Sequence, residues 1–355
     1  VSRTCPNCFS TQRNIVNTSE TNFIDVAAVV LTLEDIECGK LDELKATGYN
    51  IPVFIAINKE EVVPAEYMAS VQGVFEHDET RNDFYGRQLE AAAHKYETEL
   101  RPPFFSALVD YVKQGNSAFD CPGHQGGEFF RRHPAGNQFV EYFGETLFRS
   151  DLCNADVAMG DLLIHEGAPC IAQQHAAKVF NADKTYFVLN GTSSSNKVVL
   201  NALLTPGDLV LFDLNNHKSN HNGALLQAGA TPVYLETARN PYGFIGGIDA
   251  HCFEERYLRE LVGEVAPNRK QDARPFRLAV IQLGTYDGTI YNARQVVDKI
   301  GHLCDYILFD SAWVGYEQFI PMMADCSPLL LELNENDPGI LVTQSVHKQQ
   351  AGFSQ

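Results

Sequence analysis

The second half of the sequence alternates apolar runs with segments of helical periodicity, and this alternation restricts the fold more than any other feature. From about residue 171, the apolar runs "DLVLFDL", "RLAVIQLG" and "DYILFDSA" are separated by helical stretches such as "ARQVVDKIGHLC". Near-continuous apolar strands that alternate with helices form a parallel sheet covered on both faces. Residues 171–355 therefore predict an α/β domain built on a mainly parallel sheet.

The first part of the chain has an α/β pattern of its own. "FIDVAAVVLTL" and "IPVFIAIN" predict buried strands, and "GKLDELKATG" predicts a helix between them. Further helices are predicted at "DFYGRQLEAAAHKYETEL" and "FFSALVDYVKQG", separated by Pro102 and Pro103 because proline interrupts a helix. Loops rich in Gly and His over residues 120–170 are typical of a site or a subunit interface. We expect a domain over 1–105 and a linker with loops over 106–170.

Charge and composition argue against several kinds of partner. The formal net charge of -18 argues against nucleic acid and anionic membranes, which bind clustered Lys and Arg. No apolar run has the length needed to cross a bilayer. The 9 cysteines are dispersed, which is typical of reduced thiols in the cytoplasm. Cys5 and Cys8 have zinc-like spacing, but no second pair complements them nearby, and we expect no metal site.

Polar residues follow several predicted strands, at the edge of a parallel sheet where ligands bind. "GTSSSNK" follows the predicted strand "KTYFVLN" and opens a helix. Ser193 and Ser194, together with the free N–H groups of that helix, suit a phosphate group. The alternative is a serine that only caps the helix. His217 follows "DLVLFDL" and is either a platform for a ring or an ordinary loop histidine.

Two later strand ends carry a carboxylate and an amine. Asp310 closes "DYILFD", and a buried carboxylate requires compensation by an Arg, a Lys or the protonated ring nitrogen of a cofactor. Trp313, the single tryptophan, fits either core packing or the wall of a site. Ser345, His347 and Lys348 follow the apolar "GILVTQ". Burial at that point lowers the pKa of a lysine and makes its amine nucleophilic.

Taken together, these strand ends predict a pyridoxal phosphate site. A phosphate cradle, a platform, a buried aspartate and a desolvated lysine correspond to the needs of that cofactor. The lysine binds the cofactor's aldehyde covalently, and the aspartate keeps the ring nitrogen protonated so that the ring accepts electrons. A nucleotide site is the alternative, but the chain has neither G-x-G-x-x-G nor the Walker pattern.

Long motifs in the chain resemble the bacterial Orn/Lys/Arg decarboxylase family. They include "FDCPGHQGGEFFRRHPAG", "YFVLNGTSSSNK", "ILFDSAWVGYEQFIPMM" and "TQSVHKQQAGFSQ". The resemblance covers nearly the whole chain and is most specific from about residue 119 to 355. It implies a flavodoxin-like N-terminal wing domain over 1–105 and a linker with active-site loops over 106–170. It also implies a partial, aminotransferase-like pyridoxal phosphate domain of fold type I over 171–355.

The resemblance implies roles for individual residues as well. Lys348 corresponds to the lysine that binds the cofactor covalently, and Asp310 corresponds to the partner of the pyridine nitrogen. His217 corresponds to the residue stacked on the ring, and Trp313 lies beside it. The group around the phosphate comprises Ser193, Ser194, Ser345 and His347. The residues expected to act in catalysis are Lys348, His217, Asp310 and His347.

The activity implied by the resemblance is decarboxylation of L-ornithine to putrescine and CO2 in the cytoplasm. The family further implies a homodimer with a shared active site, with wing domains joining dimers into larger rings. Lysine or arginine decarboxylation is an alternative, as is another reaction on the same scaffold, such as aminotransfer. A third alternative is a non-catalytic assembly fragment.

Departures from the family pattern concern two positions and the length of the chain. Leu214 stands where relatives usually carry Arg, which removes a charge near the cofactor, and Asn222 stands where they commonly carry a second His. Family members are expected to continue beyond residue 355, with the last strand of the cofactor domain and the pocket for the distal amine of the substrate. We therefore expect this polypeptide to be a fragment that is inactive in isolation.

Overall fold

The computed structural model of the protein describes most of the chain, namely residues 11, 13–18, 21–77, 79–117, 119, 121–153 and 156–352. The chain divides into two compact units, Val1–Ala172 and Gln173–Gln355. Among the described helices, none combines the length and the apolar character that crossing a membrane requires. The division into three parts at residues 105 and 170 remains a prediction.

The first unit contains a three-stranded parallel sheet of order β1–β2–β3. Its strands are β1 Val29–Leu31, β2 Val53–Ile57 and β3 Gly73–Glu76. The central strand β2 is buried almost throughout, as expected for a strand covered on both faces. The predicted strand "FIDVAAVVLTL" is too long, because Thr32 and Asp35 form a capping box that starts a helix.

Nine α-helices begin among the described residues of the first unit. They are α1 Leu33–Glu37, α2 Lys40–Ala46, α3 Ala65–Met68, α4 Asn82–Glu99, α5 Pro103–Gln114, α6 Glu128–Arg131, α7 Pro134–Phe143, α8 Glu145–Ser150 and α9 Gly167–Val179. The predicted helices correspond to α2, α4 and α5. Gly115 ends α5 with a φ of 67°, a conformation that glycine adopts without strain.

Residues 120–170 contain more helix than the sequence predicted. The prediction of loops relied on their Gly, Pro and His content, yet α6, α7 and α8 all lie here. Pro134 occupies the first turn of α7, where its missing N–H costs nothing, and His133 caps that helix by accepting from the Ala135 N–H at 3.2 Å. Proline therefore starts a helix here rather than interrupting one.

The motif "GDLLIHEG" is bounded by two glycines whose backbones almost touch. Gly160 and Gly167 have φ values of 88° and 64°. The Ala168 N–H donates to the Met159 carbonyl at 2.9 Å, which closes the loop. A β carbon on Gly160 would lie 2.4 Å from the Glu166 carbonyl oxygen. Only glycine therefore fits at Gly160 without a shift of the backbone.

The second unit contains a five-stranded parallel sheet of order β10–β9–β8–β4–β5. Its strands are β4 Leu209–Asp213, β5 Thr231–Leu235, β8 Phe276–Gln282, β9 Cys304–Ser311 and β10 Gly339–Gln344. A separate antiparallel pair consists of β6 Thr237–Arg239 and β7 Ile245–Ile248. The predicted parallel α/β sheet is therefore confirmed.

Helices cover both faces of the five-stranded sheet. They are α10 Gly191–Leu203, α11 Lys218–His221, α12 Glu255–Val265, α13 Ala293–Ile300 and α14 Val346–Gln349, and a π-helical turn at Asn222–Gln227 extends α11. On one face, Leu258 of α12 and Val297 of α13 pack in a core with Ile281. On the other face, Leu200 of α10 packs in a core with Phe212. Burial on both faces explains the continuous apolar strands.

The predicted strand at residues 184–190 does not form. Within the described part of the chain, the sheet ends at β10 on one side and at β5 on the other, and residues 184–190 pair with neither. Tyr186, Phe187 and Leu189 are exposed. A strand requires hydrogen bonds to a neighbour, which an apolar sequence alone does not supply.

Candidate functional site

The parallel sheet of the second unit brings several strand ends to a single edge. Since β9 and β10 run parallel, Thr343 lies in register with Asp310, and Gln344 lies in register with Ser311. The residues that follow β10 therefore emerge beside Asp310. The carboxyl end of a parallel sheet is where ligands of such folds bind.

Asp310 is a buried carboxylate that is held by neutral donors. It is 1% exposed. Its Oδ2 accepts from the Asn196 side-chain amide at 2.8 Å and from the Asn220 side-chain amide at 3.0 Å. Its Oδ1 accepts from the Ala312 N–H at 3.2 Å. Among the described residues no Arg or Lys forms an ion pair with Asp310. The nearby Lys348 acts on the carboxylate through space, without direct contact.

Lys348 lies in the short helix α14, directly after β10. Its Nζ lies 4.2 Å from the centre of the Trp313 ring. Burial lowers the pKa of Lys348 below its ordinary value, and the nearby Asp310 opposes that shift without reversing it. The side chain therefore holds a larger fraction of neutral, nucleophilic amine than an exposed lysine does.

His217 caps the short helix α11 immediately after β4. Its Nδ1 lies 2.8 Å from the Ser219 hydroxyl and accepts from the Ser219 N–H at 3.2 Å. Burial lowers the pKa of His217, and the positive charge of Lys348 acts in the same direction, whereas Asp310 raises it. The imidazole is therefore mostly neutral at physiological pH.

The start of α10 lies beside the residues that follow β10. The Thr192 and Ser345 hydroxyl oxygens, both buried, are 2.5 Å apart. A β carbon on Gly191 would lie 3.8 Å from Cε1 of His347, which places that ring at the start of the helix. Ser193 and Ser194 lie in the first turn of α10, with Ser193 exposed and Ser194 half-buried. The free N–H groups of this turn suit an anionic group.

Asp213 is a second buried carboxylate, at the end of β4. Its Oδ1 accepts from the Asn215 N–H at 2.8 Å, while its Oδ2 has no hydrogen-bond partner in the described part of the chain. Burial raises the pKa of Asp213 to about 6. Leu214, where the sequence suggested a missing positive charge, is 48% exposed and donates its N–H to the Leu235 carbonyl.

The sequence predictions missed the polar residues that support the site. Thr192, Asn196 and Leu200 are buried on the same face of α10, at intervals of four residues. A signal was therefore available, since two polar residues, Thr192 and Asn196, share a helical face with the apolar Leu200. Asn220 gave no such signal, because "NNHKSNHN" is polar throughout and only the fold shows which of its residues is buried.

Metal ligands are not grouped in the described residues. No cluster of three or more His, Cys, Asp or Glu side chains there could hold a metal ion. Cys5 and Cys8, the pair with zinc-like spacing, lie outside the described residues. The edge of the sheet instead combines a buried anion, a desolvated amine and a helix N-terminus. This combination suits a ligand that carries a cationic ring, a carbonyl group and an anionic group.

Comparisons with known proteins cover nearly all of the chain. The N-terminal domain of the Orn/Lys/Arg decarboxylase family matches residues 1–96, and the major domain of that family matches residues 102–355. The sequence is 85% identical to the inducible ornithine decarboxylase of Escherichia coli strain K12, over 100% of this chain and 48% of that protein. It is 69% identical to an ornithine decarboxylase of Haemophilus influenzae, over 98% of this chain and 48% of that protein.

A solved structure gives the same result for the fold. Lysine decarboxylase A from Pseudomonas aeruginosa aligns with a TM-score of 0.83 and 31% identity, over 96% of this chain and 48% of that chain. The likeness agrees with the fold class predicted from the sequence. The chain spans about half the length of the relatives it matches. Because the major domain alone matches more than half of the chain, the chain belongs to the Orn/Lys/Arg decarboxylase family.

Proposed function

We propose that the complete protein is a pyridoxal phosphate-dependent decarboxylase that converts L-ornithine to putrescine and CO2. The observation that carries the proposal is the buried Asp310 carboxylate, held by two asparagine amides and a backbone N–H. Amides stabilise the charge of a carboxylate but do not cancel it. A cationic ring nitrogen completes the compensation that a buried charge requires.

The donor set at the sheet edge fits pyridoxal phosphate. Lys348 is the anchor for the aldehyde, and Asp310 is the partner of the ring nitrogen. The neutral His217 would lie against the ring, and Trp313, beside the Lys348 amine, would bound the site. The phosphate is assigned to the start of α10 and its neighbours, namely Ser193, Ser194, Ser345 and His347. Pyridoxal phosphate, when bound, supplies a protonated ring that accepts the electron pair left by the departing CO2.

Proton transfer is assigned to residues of this chain. Decarboxylation leaves a carbanion-like Cα that must receive a proton before the product leaves. Lys348 and His347 both lie in α14, which follows β10. The Nζ of Lys348 or the ring of His347 donates that proton. The lowered pKa of Lys348 suits both of its tasks, because a lower pKa leaves more neutral amine for the nucleophile and makes the protonated amine a stronger acid.

Ornithine is the proposed substrate because the sequence identity to ornithine decarboxylases is higher than the identity to a lysine decarboxylase. The relatives named ornithine decarboxylase are far more similar to this chain than the lysine decarboxylase of solved structure is. Lysine and arginine remain the alternative substrates. Family membership also supports a homodimer with a shared site, rings joined through the N-terminal domain, and a cytoplasmic location. A sedimentation measurement on the complete protein tests the assembly.

Product analysis tests the activity. The complete protein, loaded with pyridoxal phosphate, is supplied separately with L-ornithine, L-lysine and L-arginine. We expect putrescine and CO2 in equal amounts from ornithine, at a kcat/KM above those of the other two substrates. A keto acid as product would instead indicate aminotransfer. A preference for lysine or arginine would contradict ornithine as the substrate but would still agree with decarboxylation as the reaction.

A further inference from the structure

Asp310 is held asymmetrically. Both side-chain amides donate to the same oxygen, Oδ2, with Asn196 at 2.8 Å and Asn220 at 3.0 Å. Within the described residues, Oδ1 receives only the longer bond from the Ala312 N–H, at 3.2 Å. All three polar side chains are at most 1% exposed. One oxygen is therefore saturated, while the other keeps capacity for a further donor.

The amide of Asn196 is fixed in the orientation that serves Asp310. The Thr343 hydroxyl donates to its Oδ1 at 2.7 Å, and its Nδ2 also donates to the Ser219 hydroxyl at 3.3 Å. A flipped amide would place the Asn196 oxygen against the Asp310 oxygen, where two acceptors repel. Thr343 comes from β10 and Ser219 from α11, and so two elements of the fold hold this side chain.

The amide of Asn220 is oriented by a third asparagine. Its second N–H donates to Oδ1 of Asn216 at 2.9 Å. Asn216 in turn donates to the Asp213 carbonyl at 2.9 Å and to the Val280 carbonyl at 2.8 Å, which ties it to β4 and β8. Asn216 thus fixes the Asn220 amide relative to β4 and β8.

The network is not arranged for stability alone. Oδ1 of Asn220 is buried and has no hydrogen-bond partner among the described residues, which is an unfavourable environment for an amide oxygen. The orientation that leaves it unpaired is the one that directs both N–H groups at Asp310 and Asn216. The bond from Asn220 to Oδ2 of Asp310 therefore comes with an unfavourable free energy, that of the unpaired Asn220 oxygen.

We propose that Asn196 and Asn220 are positioning residues that saturate Oδ2 of Asp310 and reserve Oδ1 for a cationic ring nitrogen, and that Asn216 positions Asn220. The inference rests on the proposed function, because the ring nitrogen belongs to pyridoxal phosphate. Neutral amides fix the carboxylate without placing a cationic side chain in contact with it, and so Oδ1 is left for the ring.

The test compares two ligands on the complete protein. The probes are pyridoxal phosphate and its carbocyclic analogue, in which a CH group replaces the ring nitrogen. Their dissociation constants are measured for the wild type and for Asn196→Asp and Asn220→Asp. Each variant places a second carboxylate against Asp310. Two such groups in one buried site share a proton, and so Asp310 carries less negative charge at Oδ1. The matched control is Asn201→Asp, on the exposed side of α10.

We expect both variants to weaken pyridoxal phosphate binding by about tenfold or more and to leave analogue binding unchanged, since only the first ligand uses Oδ1. The control should change neither constant. Equal weakening of both ligands would show a merely structural role and overturn the inference, as would no weakening of either. If the Asp variants do not fold, Asn216→Ala is measured with the same two ligands. The criterion is again the ratio of the dissociation constant for pyridoxal phosphate to that for the analogue.

The two proposals fail in different ways. A wild-type protein that does not bind pyridoxal phosphate would overturn the proposed function, and this inference with it. A wild type that binds the cofactor through Lys348, with variants that keep the wild-type ratio of the two constants, would overturn the inference alone.

Discussion

The Nζ of Lys348 lies 4.2 Å from the centre of the Trp313 ring, on whose indole the Tyr286 ring packs edge to face at 5.1 Å. The face of an indole attracts an ammonium group. Burial acts against that charge and lowers the pKa of Lys348. Trp313 therefore limits the loss of the proton while no cofactor is attached.

Replacement of Trp313 by Leu should lower the pKa of Lys348 further. Loss of a cation–π contact of about 0.5–1 kcal/mol corresponds to a shift of roughly half a pKa unit. The measurement is the pH dependence of Lys348 labelling by an amine-specific reagent in the cofactor-free protein, read by peptide mass spectrometry. Trp313→Phe keeps an aromatic face and should show a smaller shift. A midpoint that stays in place or rises in the Leu variant would contradict the prediction.

Replacement of Lys348 by Ala should abolish covalent attachment of the cofactor and lower kcat/KM by roughly a thousandfold or more, since a nucleophile and a candidate acid are lost together. The measurement is borohydride reduction of the loaded complete protein, followed by digestion and identification of the labelled peptide. Lys95→Ala, on the exposed surface of α4, is the control and should keep the wild-type label. A label on any peptide without Lys348 would reject the anchor.

Asp213 makes stability depend on pH. Its pKa is raised from 3.8 in the unfolded chain to about 6 in the folded protein, because burial disfavours the charge. Between these values the folded protein retains a proton that the unfolded chain releases. Stability is therefore lost as the pH rises through this window, by up to about 3 kcal/mol, and stays lower above it.

Asp213→Asn should remove that loss. We expect the variant to gain about 1–3 kcal/mol over the wild type above the pH window and little or nothing at the bottom of it. The measurement is the thermal midpoint of the complete protein at about pH 3.8, the bottom of the window, and at about pH 7.5. Asp298→Asn, on an exposed position of α13, is the control. Equal effects of Asp213→Asn at both pH values would show that the carboxylate does not titrate in this range.

The hydrogen bond between Thr192 and Ser345 joins α10 to the end of β10. Thr192→Val keeps the shape of the side chain but leaves the buried Ser345 hydroxyl unpaired, which should cost about 1–3 kcal/mol of stability. Thr192→Ser keeps the hydroxyl and should lose less. The double variant Thr192→Val with Ser345→Ala, measured by thermal unfolding, should be less destabilised than the sum of the single variants. Strict additivity would mean that the two residues do not interact.

Gly160→Ala should disturb the loop that begins with this residue, because the new β carbon would overlap the Glu166 carbonyl oxygen and the φ is positive. We expect a loss of about 2 kcal/mol or more, measured as thermal midpoint and as protease sensitivity of the loop. Gly144→Ala separates the two causes, since Gly144 has a φ of 80° and open space around its β position. Equal losses in both variants would show that close approach contributes nothing.

The strands of the second sheet were predictable where burial alone determines them. The cores on the two faces of β4, β8 and β9 require apolar residues at successive positions, and those runs are visible in the sequence. The sequence does not show which runs find a neighbour, and so residues 184–190 were predicted as a strand and pair with none in the described part of the chain. The helices α6–α8 were missed because Gly and Pro at helix starts look the same as Gly and Pro in loops.

The candidate site was predictable as far as single strand ends reveal chemistry. His217, Asp310 and Lys348 each follow an apolar run, and the parallel sheet brings these ends to a single edge. Their roles in catalysis remain predictions. Asn196, Asn216 and Asn220 were not found, because their importance arises from contacts between elements that are distant in sequence.

The Asp310 carboxylate, held by asparagine amides, affects which ligand the site selects. Because the asparagines carry no formal charge, they stabilise the negative charge of Asp310 without cancelling it. An aromatic ligand with a protonated ring nitrogen is attracted to that charge, whereas a neutral aromatic ligand of the same shape is not. Discrimination between isosteric rings can therefore depend on formal charge more than on shape.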